Sequence, residues 1–124
     1  MEHLRYETCF GLQKLLGATT LPEEGYWYIV DDPARRPFFG YHAEDKVIFA
    51  DAEDGRVIWE VGDCIPCPSV LEALEMLEKK RGWEWSKLYT LWIAELKTGQ
   101  YHCARTPADL IEAIVKDIQE RANG

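Results

Sequence analysis

Hydrophobic side chains recur with helical spacing near the N-terminus and then give way to a short aromatic and β-branched run. A helix is predicted over Leu4–Leu16, where leucines share one side, and Gly17 is placed to end it. Gly11 inside this helix is expected to cost about 1 kcal/mol relative to alanine. Tyr26–Val30 has the composition of a strand. The chain therefore begins with a helix followed by β-structure.

Three further apolar runs extend the β-rich part of the chain. A short strand is predicted over Phe38–Tyr41. Val47–Ala50 and Val57–Val61 flank an acidic segment that contains Asp54-Gly55, a strong turn signal. The last two runs are therefore predicted to form a β-hairpin.

Two helix starts are marked clearly in the second half. Ser69 and Glu72 have the spacing of a capping box, and Gly82 is placed to end the helix that they begin. Thr106 followed by Pro107 combines a cap residue with proline at the first helical position. We therefore predict one helix over Ser69–Arg81 and another over Thr106–Arg121.

Between these helices the pattern predicts two strands, Leu88–Leu96 and Tyr101–Ala104. A two-residue turn between them would place Glu95 opposite His102, as an acid–base pair or, the favoured interpretation because no nucleophile is matched to them, as a surface ion pair. The same register directs Cys103 into the core. The order is then helix, hairpin, helix.

Together these elements predict one α+β domain over residues 1–124 with a mostly antiparallel β-sheet. Residues 1–62 supply an N-terminal helix and an acidic β-rich part, and residues 65–122 supply an αββα unit. The two C-terminal helices are expected to pack on one face of the sheet.

The αββα unit resembles the phage ABA sandwich domain, a small family of phage proteins. The resemblance implies a phage or prophage origin and an αββα layering, and it carries no catalytic residues to this chain. Residues 1–62 fall outside it. The positions that carry the resemblance are Ser69–Leu77, Lys79-Lys80-Arg81-Gly82, Leu91-Trp92-Ile93-Ala94, Gly99, Thr106-Pro107-Ala108 and Ala113-Ile114.

Net charge and hydropathy exclude several classes of partner. The chain carries 14 basic and 22 acidic side chains, and residues 1–62 hold 6 of the basic and 12 of the acidic ones. Binding of duplex nucleic acid needs a basic face, so it is not expected, nor is adsorption to anionic membranes. The longest apolar run, Tyr26–Val30, is too short to span a bilayer. With no secretion signal at the start, a cytoplasmic location in a bacterial host is expected.

Cys64-Ile65-Pro66-Cys67 lies between a predicted strand and a predicted helix, the arrangement of thioredoxin-like redox sites. A zinc site completed by Cys9 or Cys103 is a second interpretation, although no second Cys-x-x-Cys pair supports it. The third interpretation, structural cysteines that behave as small buried hydrophobes, is favoured. No metal or cofactor is therefore predicted.

Aromatic residues and arginines outside the helices form a candidate ligand site. Trp and Tyr number 5 and 6, more than one core readily buries, and loop aromatics beside arginines suit stacking on a nucleobase. The alternative, which is favoured, is that the tryptophans close the end of the sheet and the arginines pair with nearby carboxylates. The candidate ligand-binding residues are Arg35, Arg36, Arg56, Trp83, Trp85 and Arg105.

Three functional hypotheses follow. The first is a non-enzymatic phage accessory protein, most concretely a counter-defence protein that sequesters a nucleotide-like signal between subunits of a homo-oligomer. The second is an acidic protein–protein interaction module, an inhibitor or nucleic-acid mimic, in which the acidic cluster Asp51, Glu53 and Asp54 contacts a host protein. The third is a dithiol oxidoreductase that uses Cys64 and Cys67.

Overall fold

A computed structural model describes residues 3–16, 22–51 and 55–123. Over these residues the chain forms three α-helices and eight β-strands arranged in two antiparallel sheets, which confirms the α+β class. The predicted helix stop at Gly17 and the Asp54 side of the hairpin turn lie outside the described residues. The elements are α1 (Tyr6–Leu16), β1 (Glu24–Ile29), β2 (Phe38–Ala43), β3 (Lys46–Asp51), β4 (Gly55–Glu60), a 3-10 turn (Val61–Asp63), β5 (Cys64–Cys67), α2 (Val70–Arg81), β6 (Glu84–Leu88), β7 (Leu91–Glu95), β8 (Tyr101–Ala104) and α3 (Pro107–Asn123).

The first sheet has five strands in the order β4-β3-β2-β1-β5. Strands β1 to β4 follow one another as antiparallel neighbours, and β5 returns to the free side of β1. Successive side chains of a strand point to opposite faces. The strands of this sheet therefore divide their residues between two distinct surfaces.

One face of the first sheet encloses a small apolar cluster. Its buried members are Trp27, Ile29, Val47, Phe49 and Cys64, all of which belong to the sheet itself. A flat sheet could not bury its own face in this way, so the five strands must curl around the cluster. A Cβ atom added at Gly40 would lie 2.7 Å from the Phe49 ring, which explains why the middle of β2 has no side chain there.

A larger core lies between the helices, β1 and β5 of the first sheet, and the second sheet. The second sheet has the strand order β6-β7-β8, and its inner face carries Ala94, which is completely buried. Helices α2 and α3 pack against that face, as predicted. Buried aliphatic residues of the three helices fill the core: Leu12, Ala73, Leu74, Leu77, Leu110, Ile111, Ile114 and Val115.

The helix ends confirm both predicted starts. The Ser69 side chain accepts the Glu72 amide at 3.2 Å, and the Glu72 carboxylate accepts the Ser69 amide at 3.2 Å. Gly82 ends α2 with a left-handed φ of 74°. The Thr106 hydroxyl accepts the Asp109 amide at 3.1 Å, which caps α3. Helix α1, in contrast, begins at Tyr6 rather than at Leu4.

The predicted order of helix, hairpin, helix is wrong because three strands lie between α2 and α3. The single predicted strand Leu88–Leu96 is two elements: β6 ends at Leu88 and β7 begins at Leu91. Glu84 and Trp85, predicted to lie in a connection, belong to β6. The extra strand makes this region a separate sheet, so the chain has two sheets where one was predicted.

The predicted register of the last hairpin is also wrong, by one residue. Tyr101 lies opposite Glu95, and His102 lies opposite the buried Ala94. A slip of one residue moves every side chain of a strand to the other face. Cys103, predicted to be a core thiol, is therefore exposed on the outer face.

Candidate functional site

The predicted arginine site is occupied by interactions within the protein. In the loop between β1 and β2, the Arg35 guanidinium lies 3.7 Å from the centre of the Tyr6 ring. Arg36 lies over the ring of Phe38 at 5.5 Å. The Asp32 carboxylate shapes this loop by accepting the backbone N–H of Arg36 at 3.3 Å. Both arginines thus fasten the loop to neighbouring aromatic rings.

The other predicted ligand residues do not join them. Trp83 is only 2% exposed, within the larger core, and its ring centre lies 5.6 Å from that of His102. Trp85 is half-buried on the inner face of β6, where its ring is 5.8 Å from that of Trp92. Arg105 is exposed between β8 and α3, and Arg56 belongs to β4, with its side chain outside the described part of the structure. The favoured alternative describes Trp83, which is a core residue, better than ligand stacking does. Its second half is wrong for Arg35 and Arg36, which lie over aromatic rings and not beside the carboxylates expected to pair with them.

Cys64 and Cys67 lie within β5 and not at the start of a helix. Cys64 is in register with Ile29 and belongs to the small cluster, whereas Cys67 is in register with Tyr26 and belongs to the larger core. The two thiols therefore lie on opposite faces of one strand, which contradicts the thioredoxin-like alternative, and both are buried, as the favoured interpretation expects. Burial raises the pKa of Cys64 to about 11, and the neighbouring Asp63 charge adds to this.

The zinc-site interpretation of the cysteines finds no support in the described part of the chain. Residues 3–16, 22–51 and 55–123 contain no group of three or more His, Cys, Asp or Glu side chains placed to hold a metal ion.

The predicted pairing of Glu95 with His102 is wrong. The His102 Nε2 atom instead lies 3.2 Å from Asp117 Oδ2 on α3.

Asp117 is the centre of a small polar cluster that fastens α3 to the last hairpin. Besides His102, the Gln100 amide donates to Asp117 Oδ2 at 2.5 Å, and Arg121 Nε donates to Oδ1 at 3.3 Å. Partial burial alone would raise the pKa of Asp117, but the His102 hydrogen bond and the Arg121 charge outweigh it and lower the pKa. The cluster links α3 to the last hairpin, beside the apolar residues that α3 buries in the larger core.

The face of the first sheet that packs on the larger core through β1 and β5 continues onto β2, β3 and β4, where it carries large apolar side chains that are partly or largely exposed. We call this set, together with Tyr26 at its boundary with the larger core, the aromatic face and define it as Tyr26, Phe39, Tyr41, Ile48 and Ile58. Tyr26 lies opposite Phe39, and Tyr41, Ile48 and Ile58 form one row across three strands. The rings interlock edge to face, with centres 5.4 Å apart for Tyr26 and Phe39 and 5.8 Å apart for Phe39 and Tyr41.

Three of the five side chains of the aromatic face are exposed to solvent. Phe39, Tyr41 and Ile58 keep 41%, 49% and 60% of their surface exposed. Isolated exposed apolar residues are ordinary on protein surfaces, but a contiguous set is characteristic of contact surfaces. This cluster is the strongest candidate binding surface in the described part of the chain.

Acidic side chains line one edge of the aromatic face. Glu24 is in register with Tyr41, and Glu44 and Asp45 occupy the turn between β2 and β3; all three are exposed. At the same edge Lys46 forms an ion pair with Glu60. Because that pair neutralises the lysine, the described side chains along this edge carry a net negative charge.

Sequence reasoning missed this surface although its signal is present. In β2 and β4 the apolar residues do not alternate with polar ones, and Ile58 stands between Val57 and Trp59. A strand that is apolar on both faces must be covered on both or leave one exposed. The sequence does not say which outcome holds, because that depends on where the helices pack.

No family model, curated protein or solved structure matches this chain. The resemblance of residues 65–122 to the phage ABA sandwich domain therefore stays a prediction. Among the described helices, none is long and apolar enough to cross a membrane.

Proposed function

We propose that this protein acts by binding, and that the aromatic face contacts a partner protein. The observation that carries the proposal is the row of Tyr41, Ile48 and Ile58, extended by the interlocked rings of Tyr26 and Phe39. Aromatic side chains are enriched at protein interfaces, where they bury a large area at a small cost in conformational entropy. Because the rings already pack against one another before binding, less conformational entropy is lost when a partner binds.

The charge around the aromatic face specifies the chemistry of the partner. An apolar centre with a polar rim is the usual anatomy of an interface. Here the rim carries Glu24, Glu44 and Asp45, so the complementary surface has an apolar centre flanked by lysine or arginine. This agrees with the hypothesis of an acidic interaction module. The proposed contact surface, however, is the aromatic face of the sheet and not the acidic cluster at 51–54.

The geometry favours this function over sequestration of a nucleotide-like signal. A nucleotide site needs exposed aromatic planes and free guanidinium groups close together. Trp83 is buried, and Arg35 and Arg36 stack on Tyr6 and Phe38. The aromatic face, in contrast, is already exposed and needs no rearrangement to bind.

A random-peptide display library tests the proposal and does not require that the partner be identified first. The library is selected on the immobilised wild-type chain and counter-selected on the double variant Tyr41→Ser/Ile58→Ser. We expect enriched peptides that combine aromatic or aliphatic residues with lysine or arginine, and at least a tenfold loss of affinity for the double variant, which corresponds to about 1.4 kcal/mol.

The matched control is Leu71→Ser, which removes an equally exposed apolar side chain from α2 (55% exposed). Its affinity for the selected peptides should equal that of the wild type, and rising salt should weaken binding because the rim contributes charge. Peptides that bind the double variant as tightly as the wild type would contradict the proposal, as would a selection that enriches none.

A further inference from the structure

Three side chains from three different elements meet at one backbone oxygen in the larger core. The Leu4 carbonyl accepts the Tyr28 hydroxyl at 2.5 Å, and the Sγ atoms of Cys9 and Cys67 lie 3.9 Å and 3.7 Å from it. Cys9 comes from α1, Cys67 from β5 and Tyr28 from β1. The cysteines are distant in sequence, but the fold brings their sulfur atoms to the same point.

The shared carbonyl places the two thiols beside each other. A carbonyl oxygen has two lone pairs, and the short bond from Tyr28 occupies one of them. The Cys9 and Cys67 thiols both point to the same oxygen and compete for the position that remains. Interaction with the Cys9 thiol lowers the pKa of Cys67, whereas interaction with Cys67 together with burial raises the pKa of Cys9. Cys67 is accordingly the better nucleophile of the two.

We propose that Cys9 and Cys67 form an intrachain disulfide when the folded protein meets a peroxide. The Cys67 thiolate attacks one peroxide oxygen and breaks the O–O bond, which gives a sulfenic acid and releases the other oxygen as water after protonation. The Cys9 sulfur then displaces the sulfenic oxygen as a second water molecule and forms the S–S bond. In total the two thiols lose two electrons and two protons, and the peroxide is reduced to water.

The fold selects this pair over the sequence neighbours. Cys64 lies on the other face of β5, in the small cluster, and Cys103 is exposed on the outer face of the second sheet. A small oxidant suits the site, because Cys9 and Cys67 are only 1% and 6% exposed. The new bond would connect α1 to β5 covalently, and it closes a long loop of the unfolded chain.

The experiment uses two matched variants that each keep two cysteines. The variant Cys64→Ala/Cys103→Ser keeps Cys9 and Cys67, and the variant Cys9→Ala/Cys103→Ser keeps Cys64 and Cys67. After hydrogen peroxide treatment of the folded proteins, we expect the first variant to lose both titratable thiols as a monomer. Mass spectrometry should find the peptide of Cys9 linked to that of Cys67, and dithiothreitol should restore both thiols. The second variant should form no intrachain disulfide.

A second readout follows the effect on the fold. Oxidation of the first variant should raise its Tm, and dithiothreitol should reverse the rise. If the alanine at position 9 prevents folding, peptide mapping of the peroxide-treated Cys103→Ser protein still distinguishes a link from Cys9 to Cys67 from a link between Cys64 and Cys67. A Cys64–Cys67 disulfide, or oxidation of Cys67 only to acids that dithiothreitol does not reduce, would overturn the proposal.

Discussion

Gly11 lies where α1 approaches α3, and the absence of its side chain determines how close these helices come. A Cβ atom placed there would lie 2.5 Å from Val115 Cγ1 and 2.8 Å from the Gln119 amide nitrogen. Val115 is buried and branched, so it has little room to move. From sequence alone this glycine was only a cost to helix propensity. Its packing role needed the position of α3, which the local pattern does not contain.

We expect Gly11→Ala to destabilise the protein although alanine favours helices. Overpacking of a filled core costs about 1–3 kcal/mol, and the gain in helix propensity returns about 1 kcal/mol, which leaves a net loss on the order of 1 kcal/mol. Urea denaturation measures the change in the free energy of unfolding. The control is Gly62→Ala, where an added Cβ meets nothing within 4 Å. An equally stable or more stable Gly11→Ala protein would show that α1 and α3 can separate without cost.

Asp117 should make the folded state sensitive to acid. Its pKa is lowered on folding, so its contribution to stability is fully present above the unfolded pKa of about 4 and is lost as the pH falls through the lower folded value. We expect Asp117→Asn to be less stable than the wild type near neutral pH and to approach it in stability below about pH 4. Unfolding free energies measured across this range test the prediction. Glu84→Gln, an exposed carboxylate on β6, is the control and should show no such convergence.

At the scale of elements, the predictions that the structure confirms rest on interactions between near neighbours in the sequence. Ser69 and Glu72 bond to each other's backbone, and Thr106 caps the helix that begins at Pro107. Such signals are complete within one turn, so no knowledge of the rest of the fold is needed.

The capping box provides a test at this scale. We expect Ser69→Ala to lower the free energy of unfolding by about 1 kcal/mol, because an N-terminal amide of α2 loses its acceptor. Ser86→Ala, on the exposed outer face of β6, is the matched control and should change stability by less than about 0.5 kcal/mol. Urea denaturation of both variants makes the comparison. Equal losses in the two variants would mean that the cap does not contribute.

Strand β6 was not predicted because the turn that follows it has no standard sequence signal. Leu88 pairs with Leu91, so only Tyr89 and Thr90 connect β6 to β7. Tyr89 adopts a φ of 56°, a conformation usually taken by glycine, asparagine or aspartate in tight turns. Without one of those residues the segment resembles a single continuous strand. The register of β8 was missed for a related reason, because the loop before it is longer than the assumed two-residue turn.

At the scale of the whole molecule, the two apolar clusters share strands. Along β1, Tyr28 belongs to the larger core, whereas its neighbours Trp27 and Ile29 belong to the small cluster. Strand β5 is divided in the same way between Ile65 and Cys64. Loss of either cluster would therefore disrupt strands that also contribute side chains to the other cluster.

This sharing predicts a single cooperative unfolding transition. Tryptophan fluorescence should report both clusters, because Trp27 lies in the small one and Trp83 in the larger one. The variants Trp27→Phe and Trp83→Phe each remove one of these probes. We expect the fluorescence transitions of both variants to coincide with their own far-UV circular dichroism transitions in urea. If the fluorescence and circular dichroism midpoints of one variant differ, the two clusters do not unfold together and the prediction is wrong.

The candidate binding surface was predictable only in part. Aromatic residues beside arginines and the absence of a catalytic motif from the sequence favoured binding over catalysis as a hypothesis. Which aromatics stay exposed depends on tertiary packing: Trp83 is buried, whereas Tyr41 is exposed. The composition thus shows that the chain is rich in aromatic residues, but only the position of each residue in the sheet shows which of them stay exposed.

The pairing of β1 with β5 has a consequence for the time course of folding. Hairpins between consecutive strands need only short loops to close, whereas the pairing of β1 with β5 closes a loop that contains β2, β3 and β4. We therefore expect the pairing of β1 with β5 to form more slowly than the hairpins. Until β5 pairs with it, β1 is an unpaired edge with apolar side chains, and such edges are prone to aggregate.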